Sequence, residues 1–283
     1  MKRILLPTDF SENSWNAIQY AMELYKEDVC TFYLLNAYTP MLIEPVNPMG
    51  STAVTKAMLD VVQKNAEEGL ANMLKRIQET YVNTKHHFET ICTYEFFLNA
   101  VIEALKKYEI SLIVMGTKGA SGLKEVFIGS NTAAVMAKTH CTVLVIPEHA
   151  VYTPPREIAF VTDYDHYYES EEIYELFHIV LKNDSTLSVM HSLDAYEELN
   201  EEQKEIKLFL GKVLKDIRHD FYTLTNVSLL MATRLFIESR KIDMLCMTAK
   251  QHNFFERIFG KPRVEEISFY IKIPFLVLNE VKK

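Results

Sequence analysis

The chain has 283 residues, which at roughly 150 residues per domain predicts two domains rather than one. Hydrophobic residues make up 48% and charged residues 24%, a balance that excludes disorder, collagen-like repetition and a disulfide-stapled miniprotein. With 30 Lys and Arg against 38 Asp and Glu the net charge is −8, which argues against nucleic acid as the main partner while leaving room for a local basic pocket.

Residues 3–8 (RILLPT) read as a short buried strand, closed by Asp9 and by Ser11 as a helix cap. Its apolar run stops at Pro7-Thr8-Asp9, too soon for a signal peptide, and no run reaches the ~18–20 residues of a membrane span. A cytoplasmic protein without a membrane partner is therefore expected. Trp15, Ile18, Met22 and Tyr25 then recur at helical spacing, and residues 31–37 (TFYLLNA) form a second strand. The polar, proline-bearing stretch Thr39 to Thr52 is either a flap or a loose connection. A long amphipathic helix is predicted over 55–81, a third strand over 86–93, and a third helix around Leu98, Val101, Ile102 and Leu105. The strand 111–115, a helix over 130–139 and the strand 142–146 complete this half. Strands alternating with helices predict a parallel sheet covered on both faces.

The order then restarts. The segment 147–156, with Pro147, Pro154 and Pro155, reads as a linker, and Glu157–Asp163 (EIAFVTD) repeats the strand-Thr-Asp pattern of Ile4–Asp9. Further elements follow: a helix from Tyr167, a strand over 186–191, a helix over 197–217, a strand near 220–225, a helix near 226–239, then strands over 243–247 and 273–278. Order and lengths match the first half, so the chain reads as an internal duplication with domains 1–149 and 150–283.

Only 8 glycines are present, and Gly116, Gly119, Gly122 and Gly129 fall within one loop. Such concentration predicts unusual backbone there. The loop leaves a strand's carboxyl end and enters a helix at Gly129-Ser130, where ligands collect in open α/β sheets and where free N–H groups favour an anion. Ser130 and Thr132 can add hydroxyl donors, and Lys118 and Lys124 can offset charge. Neither G-x-x-x-x-G-K-[ST] nor G-x-G-x-x-G after the first strand is present. On these grounds alone, phosphate binding and a plain connecting loop stand level.

The spacing Gly116-x2-Gly119-x9-Gly129-Ser130, with its flanks IVMGTKG and SNTAAVMAKTHCTVLVIP and the opening ILLPTDFSENSWNAIQYA, resembles the universal stress protein family. The resemblance is strong over 1–147 and fainter over 156–280. It implies a tandem of two Rossmann-like domains of the adenine nucleotide alpha hydrolase-like type. Each would be a five-stranded parallel sheet in the order 3-2-1-4-5 with helices on both faces. It also implies ATP, AMP or ADP, with Mg reachable through the phosphates, in the first domain. The adenine end would lie near Pro7, Thr8, Asp9 and Ala37, the ribose near Met115 and Gly116, and the phosphates at Gly119, Gly129, Ser130, Asn131 and Thr132. Family members commonly dimerise through their fifth strands, which implies pairing of 143–146 with 275–278 inside this chain, and a further homodimer remains open. The resemblance implies a stress-response sensor or regulator with hydrolysis absent or slow. A non-binding interaction scaffold is the alternative, and a slow ATPase a weaker one, since no catalytic constellation accompanies Asp9.

In the second half Thr248 stands where Gly116 does and Gln251 where Gly119 does, and Pro262 follows the surviving Gly260. Side chains at 248 and 251 predict that this half does not hold ATP, with Phe254, Phe255 and Phe259 closing over the cleft. Lys250, Arg257, Lys261 and Arg263 read as a solvated loop, with anion binding as the alternative. Asp165 reads as a helix cap, the acidic runs 169–175 and 197–205 as wet helix faces, and the histidines as carrying no metal site. Cys30, Cys92, Cys141 and Cys246 are expected as free thiols.

Overall fold

In the computed structural model the described residues are 1–39, 51–117, 128–193, 197–248 and 272–279. The first half runs β1 (Lys2–Pro7), α1 (Glu12–Leu24), β2 (Cys30–Tyr38), α2 (Ser51–Thr80), β3 (His86–Tyr94), α3 (Phe97–Tyr108), β4 (Leu112–Gly116), α4 (Ser130–Lys138) and β5 (Thr142–Ile146). The second runs β6 (Glu157–Val161), α5 (Ser170–Asn183), β7 (Thr186–Leu193), α6 (Glu201–Val213), β8 (His219–Thr225), α7 (Leu229–Arg240), β9 (Met244–Thr248) and β10 (Phe275–Leu278).

All ten strands join one sheet in the order β3-β2-β1-β4-β5-β10-β9-β6-β7-β8. Each half has the order 3-2-1-4-5 and is parallel throughout. The two five-stranded sheets are joined into one through their fifth strands, the pairing that the resemblance implies. β5 pairs antiparallel with β10, setting Val143 opposite Val277, Leu144 opposite Leu276 and Val145 opposite Phe275. Both strands are apolar and buried along nearly their whole length, and pairing removes an edge that would otherwise expose unpaired backbone groups in an apolar surface.

The central strands carry unbroken apolar runs because helices cover both faces. One face packs α1, α2, α5 and α6 around Trp15, Tyr25, Phe32, Phe160 and Leu210. The other packs α3, α4 and α7 around Val101, Met136, Val145 and Phe236. Both cores run across the β5–β10 seam.

Two acidic residues expected on a wet face are core residues. Glu172 and Glu175 are 3% and 5% exposed. Glu175 lies against the other half, taking Lys2 Nζ at 2.5 and 2.7 Å and the Tyr25 hydroxyl at 2.7 Å. Beside it Lys182 bonds Asp28 and the Leu24 carbonyl. These bonds tie α5 to the first half beneath the apolar seam.

All four cysteines are free, and Cys30, Cys141 and Cys246 are buried. No helix among the described residues is long and apolar enough to cross a membrane, and no group of three metal-ligating side chains converges among them. The stretch read as either a flap or a loose connection falls mostly in 40–50, outside the described residues, as do Lys118, Gly119, Gly122, Lys124 and the second half's loop 249–271.

Candidate functional site

In the first half the strand order reverses between β1 and β4, which opens a crevice at their carboxyl ends. Thr8 leaves β1 fixed on three sides. Its N–H donates to the Leu35 carbonyl at 2.8 Å, and its carbonyl accepts from Asn36 Nδ2 at 2.8 Å. Its hydroxyl lies 2.9 Å from Ser14 Oγ and accepts from the Phe10 N–H at 3.0 Å. Asp9 stays exposed, and its Oδ1 accepts from the Ser11 N–H and hydroxyl at 3.1 and 2.6 Å. Ser11 in turn caps α1 by accepting from the Ser14 N–H. Phe10 holds the left-handed φ of 65° that this sharp turn requires. Its ring rests on α2 at Gly69, where a Cβ would come within 2.5 Å of it.

At the facing strand end Met115 turns its side chain into the core, 5% exposed, leaving only its backbone toward the crevice. Gly116 closes β4 against the first turn of α1. A Cβ there would lie 2.8 Å from the Asn13 side-chain amide. No described glycine has a positive φ, so Gly116 supplies space, not the unusual backbone expected of it. The base of the following loop is pinned shut. The Gly129 N–H donates to the Thr117 carbonyl at 2.6 Å, and the Thr132 hydroxyl donates to the Gly116 carbonyl at 2.9 Å. That hydroxyl therefore braces the loop and is not a free donor. Gly129, the N-cap of α4, has no side chain to bond the first-turn N–H groups. Ser130 and Asn131 project there exposed. Among the described residues no side chain caps this helix end, whose positive pole and first-turn donors favour an anion.

The structure thus brings Pro7, Thr8, Asp9, Ala37, Met115, Gly116, Gly129, Ser130, Asn131 and Thr132 to one edge of one sheet. Gly119 lies outside the described residues. Three further residues support the site without a motif to mark them: Phe10, Asn13 and Asn36. Asn36 carries the clearest signal of the three, a polar residue after the apolar run 32–35 of β2.

The second half repeats the frame and fills it. The Tyr164 N–H donates to Thr162 Oγ1 at 3.0 Å, and Tyr164 carries φ 55°, matching Phe10. His191 takes the place of Asn36, its Nδ1 lying 2.8 Å from the Thr162 carbonyl. Tyr168 takes the place of Ser14 and bonds the Thr162 hydroxyl. Tyr164 is fully buried, its ring 5.0 Å from the His191 ring and tilted by 33° to it. Thr248, at the position of Gly116, is 1% exposed.

α5 starts at Ser170, later than the periodicity predicted, with Glu169 as an N-cap that makes no side-chain bond. Asp165, expected as the cap, instead meets His166 Nδ1 at 2.6 Å, and Glu172 meets the ring's Nε2 at 3.0 Å. Burial opposes charge on His166, but the two carboxylates outweigh it and raise its pKa to about 9. Burial, reinforced by the neighbouring Asp165 carboxylate, raises Asp163 to about 7.

The family model described as "Universal stress protein family" matches residues 1–147. Universal stress protein MJ0531 of Methanocaldococcus jannaschii is 28% identical over 148 residues, covering 51% of this chain and 81% of that protein. Universal stress protein YxiE of Bacillus subtilis is 25% identical over 144 residues, covering 51% and 97%. The crystal structure of a universal stress protein from Archaeoglobus fulgidus covers 99% of this chain and 98% of its own. Its TM-score is 0.70 at 17% identity, a likeness of fold that includes both halves. By the extent of the family match, the chain belongs to the universal stress protein family.

Proposed function

We propose that residues 1–149 and 150–283 are two copies of one domain, and that the first binds an adenine nucleotide while the second does not. The protein would act in the cytoplasm as a ligand-responsive regulator, with hydrolysis absent or slow. The observation that carries this reading is the contrast between the copies. At the first switch point Ala37 and Gly116 keep side chains small, Asp9, Ser130 and Asn131 are exposed, and α4 opens its first-turn donors. At the second, Tyr164, Tyr168 and Thr248 are buried in the corresponding space.

An ATP, ADP or AMP molecule suits this edge chemically. Its phosphates match the uncapped N-terminus of α4, where charge is favoured by the helix dipole. The bonds from Gly129 to Thr117 and from Thr132 to Gly116 hold that helix end in place before any ligand arrives, which lowers the ordering cost of binding. Asp9 stands on the same edge as a carboxylate that can hold ribose hydroxyls or Mg²⁺ carried on the phosphates.

The test is calorimetric titration of the full chain with ATP, ADP and AMP, together with identification of any nucleotide that co-purifies. One binding event per chain is expected, and it should be weakened at least about tenfold, roughly 1.4 kcal/mol, by Gly119→Val and by Gly129→Val. Unchanged ATP affinity in both variants would overturn the site. Two equivalent sites per chain would overturn the division of labour between the halves.

A further inference from the structure

The sheet ends at β8, and α6 does not cover that end completely. Between them lies a cavity of about 820 Å³. Its floor is formed by Leu199, Leu208, Gly211 and Phe221, and its walls by Lys204, Lys207, Lys212 and Lys215. The residues at 204, 207, 208, 211 and 212 share one face of α6, and Lys215 prolongs the line into the turn beyond it.

We propose that this groove docks an acidic amphipathic helix of a partner protein. Two independent features carry the proposal. The first is charge. Four lysines border one apolar floor on a chain whose net charge is −8. Lys204 is paired with Glu201 at 2.7 Å, and Lys207 lies 5.5 Å over the Phe221 ring. Lys212 and Lys215 form no ion pair among the described residues. The complement of that pattern is apolar side chains flanked by Glu or Asp.

The second is Gly211. Glycine inside a helix costs stability relative to alanine, and it persists where the backbone or a close neighbour demands it. Neither demand exists here. No described glycine has a positive φ, and a Cβ at 211 would meet Phe221 at 3.6 and 3.7 Å, ordinary contact. The missing side chain leaves the floor open where a second helix would come closest, and interhelical distance is set by the side chains at the contact. Leu208 beside it is 68% exposed, an apolar group that docking would cover. The concave form and a length of roughly three helical turns suit a helix better than a flat bilayer.

A labelled synthetic peptide of about 18 residues, with leucine along one face and glutamate on both flanks, tests this on the full chain by fluorescence anisotropy. Wild type should bind it at least about tenfold more tightly than a scrambled peptide of the same composition, and added salt should weaken binding. Lys207→Glu with Lys212→Glu, and separately Gly211→Leu, should each weaken it at least about tenfold. Gly211→Ala should raise the melting temperature yet weaken the peptide, a combination that a purely structural glycine would not give. Equal affinity for the scrambled peptide, or no response to the double charge reversal, overturns the proposal. Binding to phosphatidylglycerol vesicles without binding to the peptide overturns it in favour of a lipid surface. None of these readouts depends on nucleotide.

Discussion

Gly116 shows how little freedom the nucleotide-side frame has. The residue is needed because Asn13, buried in the first turn of α1, lies where its Cβ would be. Real Cβ atoms do not approach at 2.8 Å, so Gly116→Ala must move either the helix start or the strand end. Overpacking of this kind costs about 1–3 kcal/mol. Urea unfolding of Gly116→Ala should show that loss, and combining it with Asn13→Ala should recover part of it, since the two positions compete for one volume. A Gly116→Ala protein as stable as its parent would mean that the contact is soft. At Gly116 itself the glycine supplies space and not left-handed backbone. Among the described residues, left-handed backbone is supplied by Phe10, Glu109, Tyr164, Asp184, Asn226 and Lys241. Three of these end helices α3, α5 and α7, where glycine is the usual choice. Glycine positions therefore do not mark these described turns, and Gly69 and Gly116 serve close approach instead.

Among elements, the start of α5 separates the two copies most clearly. Measured from the equivalent aspartates, α1 begins three residues after Asp9 and α5 seven after Asp163. In the copy with Thr248 in place of Gly116, that first turn is not helical, and its residues form a polar network instead. His166 lies between Asp165 and Glu172, and Asp163 lies beside Asp165. Periodicity located the helix through Ile173, Leu176 and Val180, but it could not show that the preceding turn was unwound, because the side-chain network that takes its place carries no periodic signal. Both raised pKa values act in the same direction. Asp163 binds its proton more tightly folded than unfolded, so its contribution is complete below the ordinary carboxylate pKa near 4 and is lost as pH rises to about 7. His166 contributes fully below about 6.5 and loses its contribution as pH rises through about 9. The melting temperature should therefore fall with rising pH across this range as far as these groups are concerned. Asp163→Asn should remove the part between about pH 4 and 7, and His166→Gln the part between about 6.5 and 9. Variants whose pH profiles run parallel to wild type would show that the network does not titrate in this way.

The two halves form one molecule through two joints of opposite character. The β5–β10 seam was legible, since the runs 143–146 and 275–278 are wholly apolar and the family resemblance implied their pairing. The second joint was not. Glu175 sits in an acidic run that reads as a solvated helix face, and only packing of α5 against the first half buries it beside Lys2 and Tyr25. Lys2 and Glu175 side chains are 10% and 6% exposed, so neither charge is well hydrated and each depends on the other. Glu175→Leu should strand both the Lys2 ammonium and the Tyr25 hydroxyl, at a cost of about 3–5 kcal/mol. Because the sheet and both cores are continuous across the seam, that loss should lower one cooperative transition of the whole chain instead of releasing the second half alone. Adding Lys2→Met and Tyr25→Phe to Glu175→Leu removes every stranded polar group, and an apolar replacement of a buried ion pair is often neutral or stabilising. The triple variant should therefore unfold close to wild type in urea. If it remains as weak as Glu175→Leu alone, the joint owes its strength to shape at this spot and not to pairing of charge. If two separate transitions appear, the halves are held by the strand seam less firmly than their shared cores require.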